Sequence, residues 1–292
     1  PADGGVGMVV GAKGAEAETV YTLPVVDDGR RLAGTVELTD LLLSDDDNLL
    51  KDVVDVFVAR VRATEPAEDA ARLMQEANLV ALPVVDSEER FVGLLTFDDA
   101  LELIEAADSE DIARQSGASP VAGHYVAASV VRLARARSVW LLLLIVATTL
   151  TVNVMQAFEA TLEQVTALAL FVPMLTGTGG NVGSQSATAI VRALAVGEVR
   201  VRDLPRVAWK EALVGILLGF MLATVALAIG ALLVGISVAG VVAVAVIAVC
   251  TWAAIIGSTM PLLARRVGVD PAVVSAPLVS TLVDATGLLI YF

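Results

Sequence analysis

The longest uncharged stretch of the chain is residues 212–264, in which no Asp, Glu, Lys or Arg occurs. A helix of about 20 apolar residues crosses a bilayer, so this stretch is long enough for two spans. A turn between them is expected near residues 235–240, which begin and end with glycine. With 57% hydrophobic residues and a mean hydropathy of +0.78, the chain is predicted to contain a polytopic membrane domain.

Three further stretches with few or no charges predict additional spans. Five transmembrane helices are therefore expected, at about residues 138–158, 165–191, 212–234, 240–264 and 271–292. Basic residues precede the first span and fill the loops after the second and fourth spans, whereas the alternate loops are acidic or uncharged. Lys and Arg favour the cytoplasmic side. We therefore expect a multi-pass plasma-membrane protein with a cytoplasmic N-terminus and an external C-terminus.

The charge of the chain divides it into two regions. Residues 1–111 contain 26 acidic and 8 basic residues, whereas residues 112–292 contain 7 acidic and 11 basic residues. An acidic cytosolic domain is therefore expected over 1–111, a connecting helix over 112–137 and the ion-pore domain over 138–292.

The acidic region contains an internal repeat. Residues 23–43 align without a gap on residues 82–102, an offset of 59 positions. Each copy is predicted to form a strand, a polar turn, a second strand and a helix, which makes this region α+β. Only 22 residues precede Leu23, and residues 4–14 are glycine-rich. The first copy is therefore expected to lack its opening strand and helix.

Acidic side chains recur on the helix predicted to end the second copy. Asp98, Asp99, Glu102 and Glu105 fall at helical spacing, so like charges stack on one side. Concentrated negative charge opposes compaction unless cations bind, and Mg²⁺ prefers oxygen ligands of this kind. For any single acidic run, including residues 45–47, a solvated surface is the simpler interpretation.

Asp284 lies within the last predicted span, with no basic residue near it in sequence. A carboxylate near the middle of a membrane helix costs roughly 2.5–3.5 kcal/mol on insertion scales, so such residues usually face a wet cavity and bind a cation. The alternative is a protonated Asp that is hydrogen-bonded to a neighbouring helix.

Two spans contain stripes of polar residues. In the second span, Gly179 and Gly183 form a small-xxx-small pair that suits helix packing. Packing does not explain Asn181, Gln185 and Thr188, which share one helical face. The last span has a comparable face formed by Pro277, Ser280, Thr281, Asp284 and Gly287. Pro277 is also expected to free a backbone carbonyl one turn earlier, so two facing stripes would outline a pore.

Three groups of residues resemble known families. GTGGNVGSQS at 177–186 and DP…PLVSTLVDATG at 270–287 resemble signatures of the MgtE-type magnesium channels, and the repeat resembles a cystathionine-beta-synthase (CBS) domain pair. The resemblance implies a homodimer whose pore follows the two-fold axis. It also implies that Mg²⁺ is both transported and bound by the CBS domains, which then hold the pore closed.

The resemblance and the polar stripes together define the candidate site residues. The expected metal-binding residues are Asp284, Asn181, Glu211, Asp99, Glu102, Glu110 and Asp111. The expected pore-lining residues are Gly177, Gly179, Gly180, Gln185, Pro277, Ser280 and Thr281. For Glu211, a carboxylate at a helix N-terminus in the membrane interface is an equal alternative.

Alternative functions remain open at this point. CBS modules often bind adenine nucleotides, and Asp40, Thr96 and Asp98 lie where a ribose would be contacted, so ATP is a candidate ligand of a nucleotide-gated transporter. Transport of Co²⁺ or Mn²⁺ is a second alternative, although a site with oxygen ligands alone disfavours softer ions. A membrane sensor that moves no ion is a third.

The remaining chemistry of the sequence is sparse. Its one cysteine, Cys250, is expected to be a small buried residue, and its one histidine, His124, is expected at the membrane interface rather than on a metal. No nucleophile–base pair, phosphate-binding loop or basic nucleic-acid stripe occurs. Neither an enzyme nor a nucleic-acid partner is therefore expected.

Overall fold

A computed structural model describes residues 21–44, 49–121, 123 and 125–292. The chain forms two compact units, Pro1–Asp108 and Ser109–Phe292, and each is described by itself. The expectations for residues 4–14, for the acidic run at 45–47 and for His124 lie outside the described residues.

In its described residues, the first unit contains five strands and the short helices between them. The elements are β1 (Thr22–Val26), β2 (Leu32–Glu37), α1 (Leu38–Leu43), α2 (Leu50–Val53), β3 (Val61–Arg62), α3 (Ala67–Glu76), β4 (Ala81–Val85), β5 (Phe91–Thr96) and α4 (Phe97–Gln115), the last of which continues into the second unit. Strands β1 and β2 form an antiparallel pair. In the second sheet, β4 lies between β3, which runs parallel to it, and β5, which runs antiparallel.

The predicted repeat is confirmed in backbone detail. The β1–β2 pair and the β4–β5 pair have the same register, and each has a bulge at the same place, after Val25 and after Val84. In the turn between the paired strands, Arg30 and Glu89 adopt the left-handed conformation, with φ of 60° and 62°. All of these features repeat at the offset of 59 read from the sequence.

The two copies also contact each other symmetrically. The backbone N–H of Leu32 donates to the carbonyl of Glu89 (3.0 Å), and the N–H of Phe91 donates to the carbonyl of Arg30 (2.8 Å). These two hydrogen bonds are related by the same offset, so the turns of the two hairpins meet edge to edge.

The second unit is helical. After the C-terminal end of α4, it contains α5 (Val130–Ala157), α6 (Glu159–Gln164), α7 (Val172–Ala195), α8 (Leu204–Val234), α9 (Ile236–Arg266) and α10 (Ala276–Tyr291). The segment 112–137 is not one helix, because α4 ends at Gln115 and α5 begins at Val130. Gly117, with φ of 70°, and Pro120 interrupt it.

Helices occupy all five predicted spans. Among the described residues, α5, α8 and α9 are long and apolar enough to cross a membrane, and α10 is a shorter apolar helix of 16 residues. Helix α7 is less apolar because glycines, hydroxyls and two amides replace aliphatic side chains along it.

Helices α7, α9 and α10 form the core of this unit. Val249 and Cys250 of α9 and Val279 and Val283 of α10 are almost fully buried there, which confirms the buried position expected for the cysteine. Glycines bring backbones together where the helices cross. A Cβ atom at Gly257 of α9 would overlap the backbone of α7, so this crossing depends on the absence of a side chain.

Candidate functional site

Asp284 lies near the middle of α10, half-buried between the buried residues Val283 and Ala285. Within the part of the chain that the structure describes, its carboxylate makes no hydrogen bond or ion pair. Neither carboxylate oxygen is fully buried, because neither is among the buried side-chain atoms that lack a partner. A Cβ atom placed on Gly180 of α7 would lie 3.5 Å from Asp284 Oδ1 and would overlap Ser280 Oγ. The close contact of α7 with Ser280 and Asp284 therefore leaves no room for a side chain at position 180.

Helix α7 has two different faces. The packing face contains Gly179, where a Cβ would lie 2.7 Å from Val249 Cγ1 and 2.9 Å from Val283 Cγ1. The polar face contains Asn181 and Gln185, and both are exposed in the single chain.

The other small or polar positions of α7 fall on the same two faces. Gly177 and Thr188 are exposed, as Asn181 and Gln185 are. A Cβ at Gly177 would meet nothing within 4 Å. Gly183 belongs to the packing face, because a Cβ there would lie 3.0 Å from Val279 Cγ1. Of the glycines expected to line a pore, Gly177 adjoins open space, whereas Gly179 packs against α9 and α10 and Gly180 is buried against Ser280 of α10.

The start of α10 corrects the role expected for Pro277. Ser275 caps the helix, and Pro277 lies in its first turn, where a backbone N–H has no helical acceptor. The carbonyl expected to be free, that of Val273, accepts a hydrogen bond from the Ser275 N–H at 2.7 Å. Pro277 therefore lies in the first turn of the helix and frees no carbonyl within it. Its own carbonyl accepts the Thr281 hydroxyl at 2.9 Å.

A hydrogen bond joins the start of α10 to α7. Ser184 Oγ donates to the carbonyl of Ala276 at 3.0 Å. This bond holds the first turn of α10 against the middle of α7, so the helix that bears Asp284 is positioned beside the helix that bears the polar face.

Glu211 does not lie at a helix N-terminus. Helix α8 begins at Leu204, about two turns before it, so the helix-terminus alternative is wrong. Its Oε2 atom accepts a hydrogen bond of 2.7 Å from Ser186 Oγ of α7, and Ser186 is buried. The pairing was missed because the spacing of two residues on separate helices does not show that they meet.

The acidic residues of α4 are dispersed in the single chain. Asp98, Asp99 and Glu102 are exposed, and Asp99 Oδ2 accepts a hydrogen bond of 3.0 Å from Thr96 Oγ1. Among the described residues, no three acidic, histidine or cysteine side chains come close enough to hold a metal ion. The expected regulatory acids therefore do not form a metal site within the described part of one chain.

Glu110 is engaged by a basic residue. It forms an ion pair with Arg114, which also contacts Asp270, the residue that caps the turn before α10. Asp111, next to Glu110, is half-buried. The ion pairs of Arg114 thus link the end of α4 to the segment that leads into α10.

The residues expected to bind a nucleotide do not line the cavity found in the described part of the first unit. Asp40 and Asp98 are exposed, whereas Thr96 is buried at the end of β5. A cavity of about 550 Å³ in the first unit is lined instead by residues between Val25 and Val56. None of the three expected residues lines it.

Two family models match the chain. Residues 172–292 match MgtE, described as a divalent cation transporter, and residues 50–106 match the CBS domain. The first match covers α7 to α10 and hence both faces of α7, Glu211 and Asp284.

Curated relatives and a solved structure are similar to the chain. The magnesium transporter MgtE of Thermus thermophilus is 44% identical over 276 residues, which cover 94% of this chain and 61% of the relative. That of Enterococcus faecalis is 32% identical over 94% of this chain and 60% of the relative. The crystal structure of the cytosolic domain of the Mg²⁺ channel MgtE in complex with ATP is 36% identical, covering 33% of this chain and 39% of that one, with a TM-score of 0.33.

The chain spans about 60% of the length of the curated relatives it matches. Each match lies within one unit of the fold: the CBS match lies in the first unit, and the MgtE match lies in the second. The chain therefore contains an MgtE domain over residues 172–292, which is the domain of a divalent cation transporter family, and a CBS domain ahead of it.

Proposed function

We propose that this protein conducts hydrated Mg²⁺ across the plasma membrane into the cytosol. The observation that carries the proposal is the Asp284 carboxylate, which is half-buried among apolar helices and has no partner among the described residues. A carboxylate in such surroundings is stabilised by a cation that comes to it. The magnesium transporters among the relatives support Mg²⁺ as that cation.

The polar face of α7 supports transport of an ion that keeps its water. Mg²⁺ sheds its hydration shell reluctantly and is usually bound through one or two carboxylates and several waters. Asn181 and Gln185 offer amide groups that can hydrogen-bond to those waters, on the helix next to Asp284. Selection would then depend on the size of the hydrated ion rather than on direct contact with many oxygen atoms.

The same face supports a homodimer. Amide side chains that are exposed in one chain would face lipid in a membrane, where an unsatisfied polar group costs several kcal/mol, on the order of 2–7. A second copy related by a two-fold axis would place two polar faces, and two Asp284 carboxylates, around one aqueous path. Two carboxylates match the charge of one divalent cation.

The membrane topology belongs to the same proposal. The basic loops lie on one side of the predicted spans, which supports a multi-pass protein with a cytoplasmic N-terminus. The acidic first region would then face the cytosol.

Regulation by cytosolic Mg²⁺ completes the proposal. Asp99, Glu102, Glu110 and Asp111 would bind Mg²⁺ when acidic surfaces come together in the closed dimer, because like charges approach only with counterions between them. Mg²⁺ should then protect residues 116–121 from limited proteolysis, and chelation should expose them. Identical digestion with and without Mg²⁺ would count against a sensor.

The function can be tested with the purified chain in liposomes. An indicator trapped inside would report entry of Mg²⁺, Ca²⁺, Co²⁺ and Mn²⁺, each added alone under the same membrane potential. We expect Mg²⁺ to enter faster than Ca²⁺. Entry of Co²⁺ or Mn²⁺ without Mg²⁺ would replace the assignment with another divalent cation, and no entry of any ion would reject transport.

A further inference from the structure

A second cavity lies at the start of α5, away from Asp284. Its volume is about 700 Å³, and its walls come from the loop after α4 and from the first turns of α5. The backbone N–H of Ser119 donates to the carbonyl of Ala136 at 2.9 Å, which holds the loop against the helix. The cavity is therefore formed by backbone contacts within the second unit.

Two arginines give this cavity a positive wall. Arg132 and Arg135 both line it, one turn apart on α5. Within the described part of the chain, neither guanidinium forms an ion pair, although acidic residues outnumber basic ones by 33 to 19 in the whole sequence. The hydroxyls of Ser119 and Ser129 line the same cavity. This wall offers donors suited to an anion from outside the protein.

Two valines of the same helix adjoin the arginines. Val131 and Val139 line the cavity, and they are 68% and 65% exposed. Val139 follows the arginines along α5 and opens the uncharged part of the helix, which is long and apolar enough to cross a membrane. An occupant that suits this order has an anionic group beside the arginines and hydrocarbon that continues along the helix.

We propose that this cavity binds the headgroup of an anionic phospholipid. The phosphate would contact Arg132 and Arg135 between the two valines, and the beginning of an acyl chain would extend past Val139 along the uncharged part of α5. The cavity lies on the basic side of the first predicted span, where the cytoplasmic leaflet supplies anionic lipid. This inference is independent of ion transport, because it concerns a different part of α5 and has its own binding readout.

Native mass spectrometry of the full chain, released from detergent with added lipid, tests the proposal. Phosphatidylglycerol should bind more tightly than phosphatidylcholine. Replacing both arginines, Arg132→Gln with Arg135→Gln, should weaken phosphatidylglycerol binding about 25-fold, at roughly five-fold for each arginine. Arg137→Gln is the matched control: Arg137 is exposed on the same helix and does not line the cavity, so its loss should leave the affinity unchanged.

Two further arms decide between the sources of the phosphate. Inorganic phosphate added at millimolar concentration should not displace phosphatidylglycerol, because it has no acyl chain to contact the valines. Displacement would overturn the lipid assignment in favour of a free-phosphate site. Equal binding of the two lipids to the unmodified chain would overturn the proposal without any variant. An equal loss in Arg137→Gln would overturn it as well, since charge anywhere on α5 would then suffice.

Discussion

Gly180 is the residue on which the geometry around the Asp284 carboxylate depends. A Cβ atom there would overlap Ser280 Oγ and approach Asp284 Oδ1 to 3.5 Å. Because Ser280 and Asp284 lie one turn apart on α10, anything larger than hydrogen at position 180 displaces one side chain or separates the helices. The motif around this glycine is thus required by packing as well as by the ion path.

Gly180→Ala is expected to destabilise the protein by about 1–3 kcal/mol, the usual cost of overpacking a core. Adding Ser280→Ala should restore most of the loss, because it removes the overlapping hydroxyl. Gly177→Ala is the control, one turn earlier on α7 with open space around it. Unfolding of the purified protein in detergent, measured by circular dichroism, gives the three values. An equal effect of Gly177→Ala and Gly180→Ala would contradict the account.

The sequence predicted the individual residues of the polar stripes better than their partners. Asn181 and Gln185 share a face because helical spacing alone decides that. The Ser186–Glu211 hydrogen bond and the packing of Gly179 against Val283 depend on how separate helices cross. Spacing along a single chain contains little information about such crossings, so these contacts could only be found in the structure.

Helix crossings at glycine connect α9 to its neighbours. Among them, Gly257 tolerates a side chain least, because its Cβ would meet backbone atoms of Gly183, which cannot rotate away as a side chain can. Gly240, near the other end of α9, has nothing within 4 Å. Substitutions at these two glycines therefore distinguish the requirement for close helix packing from the low helix propensity of glycine itself.

Gly257→Ala should lower the stability of the second unit by about 1–3 kcal/mol or more, since 1–3 kcal/mol is the usual cost of overpacking a core. Gly240→Ala should be neutral or should stabilise by up to about 1 kcal/mol, since alanine has the higher helix propensity. Thermal aggregation of the two variants in detergent, followed beside the unmodified chain, measures the difference. Similar melting of both variants would show that the close crossing of α7 and α9 is not required.

Element boundaries show why the sequence predicted the existence of helices better than their ends. The third span was placed at 212 because charges stop there, yet α8 begins at Leu204 and continues through the charged residues. Charge marks where a helix enters lipid, whereas caps and prolines mark where it begins. In the same way Ser275, rather than Pro271, starts α10. The repeat offset was more informative, because two copies of one pattern predict the same strands twice.

At the scale of the whole molecule, we propose that a second copy of the chain covers the exposed polar face of α7. Asn181→Cys, in a background with Cys250→Ala, should be linked to its copy by a short bifunctional thiol reagent in membranes. Leu217→Cys is the control, because Leu217 is 64% exposed on the apolar surface of α8. Gel mobility under non-reducing conditions reports the linked dimer. Linking at position 217 and not at 181 would place the dimer contact elsewhere.

We propose that an ionised Asp284 attracts the ion that crosses the membrane. The most direct measurement is Mg²⁺ entry into liposomes that contain Asp284→Asn, which keeps the shape of the side chain and removes its charge. Glu163→Gln is the matched control, because Glu163 is an exposed carboxylate in the short helix α6. We predict that entry falls at least ten-fold in the first variant, whose melting is unchanged, and is unaffected in the second. Undiminished entry through Asp284→Asn would contradict the account.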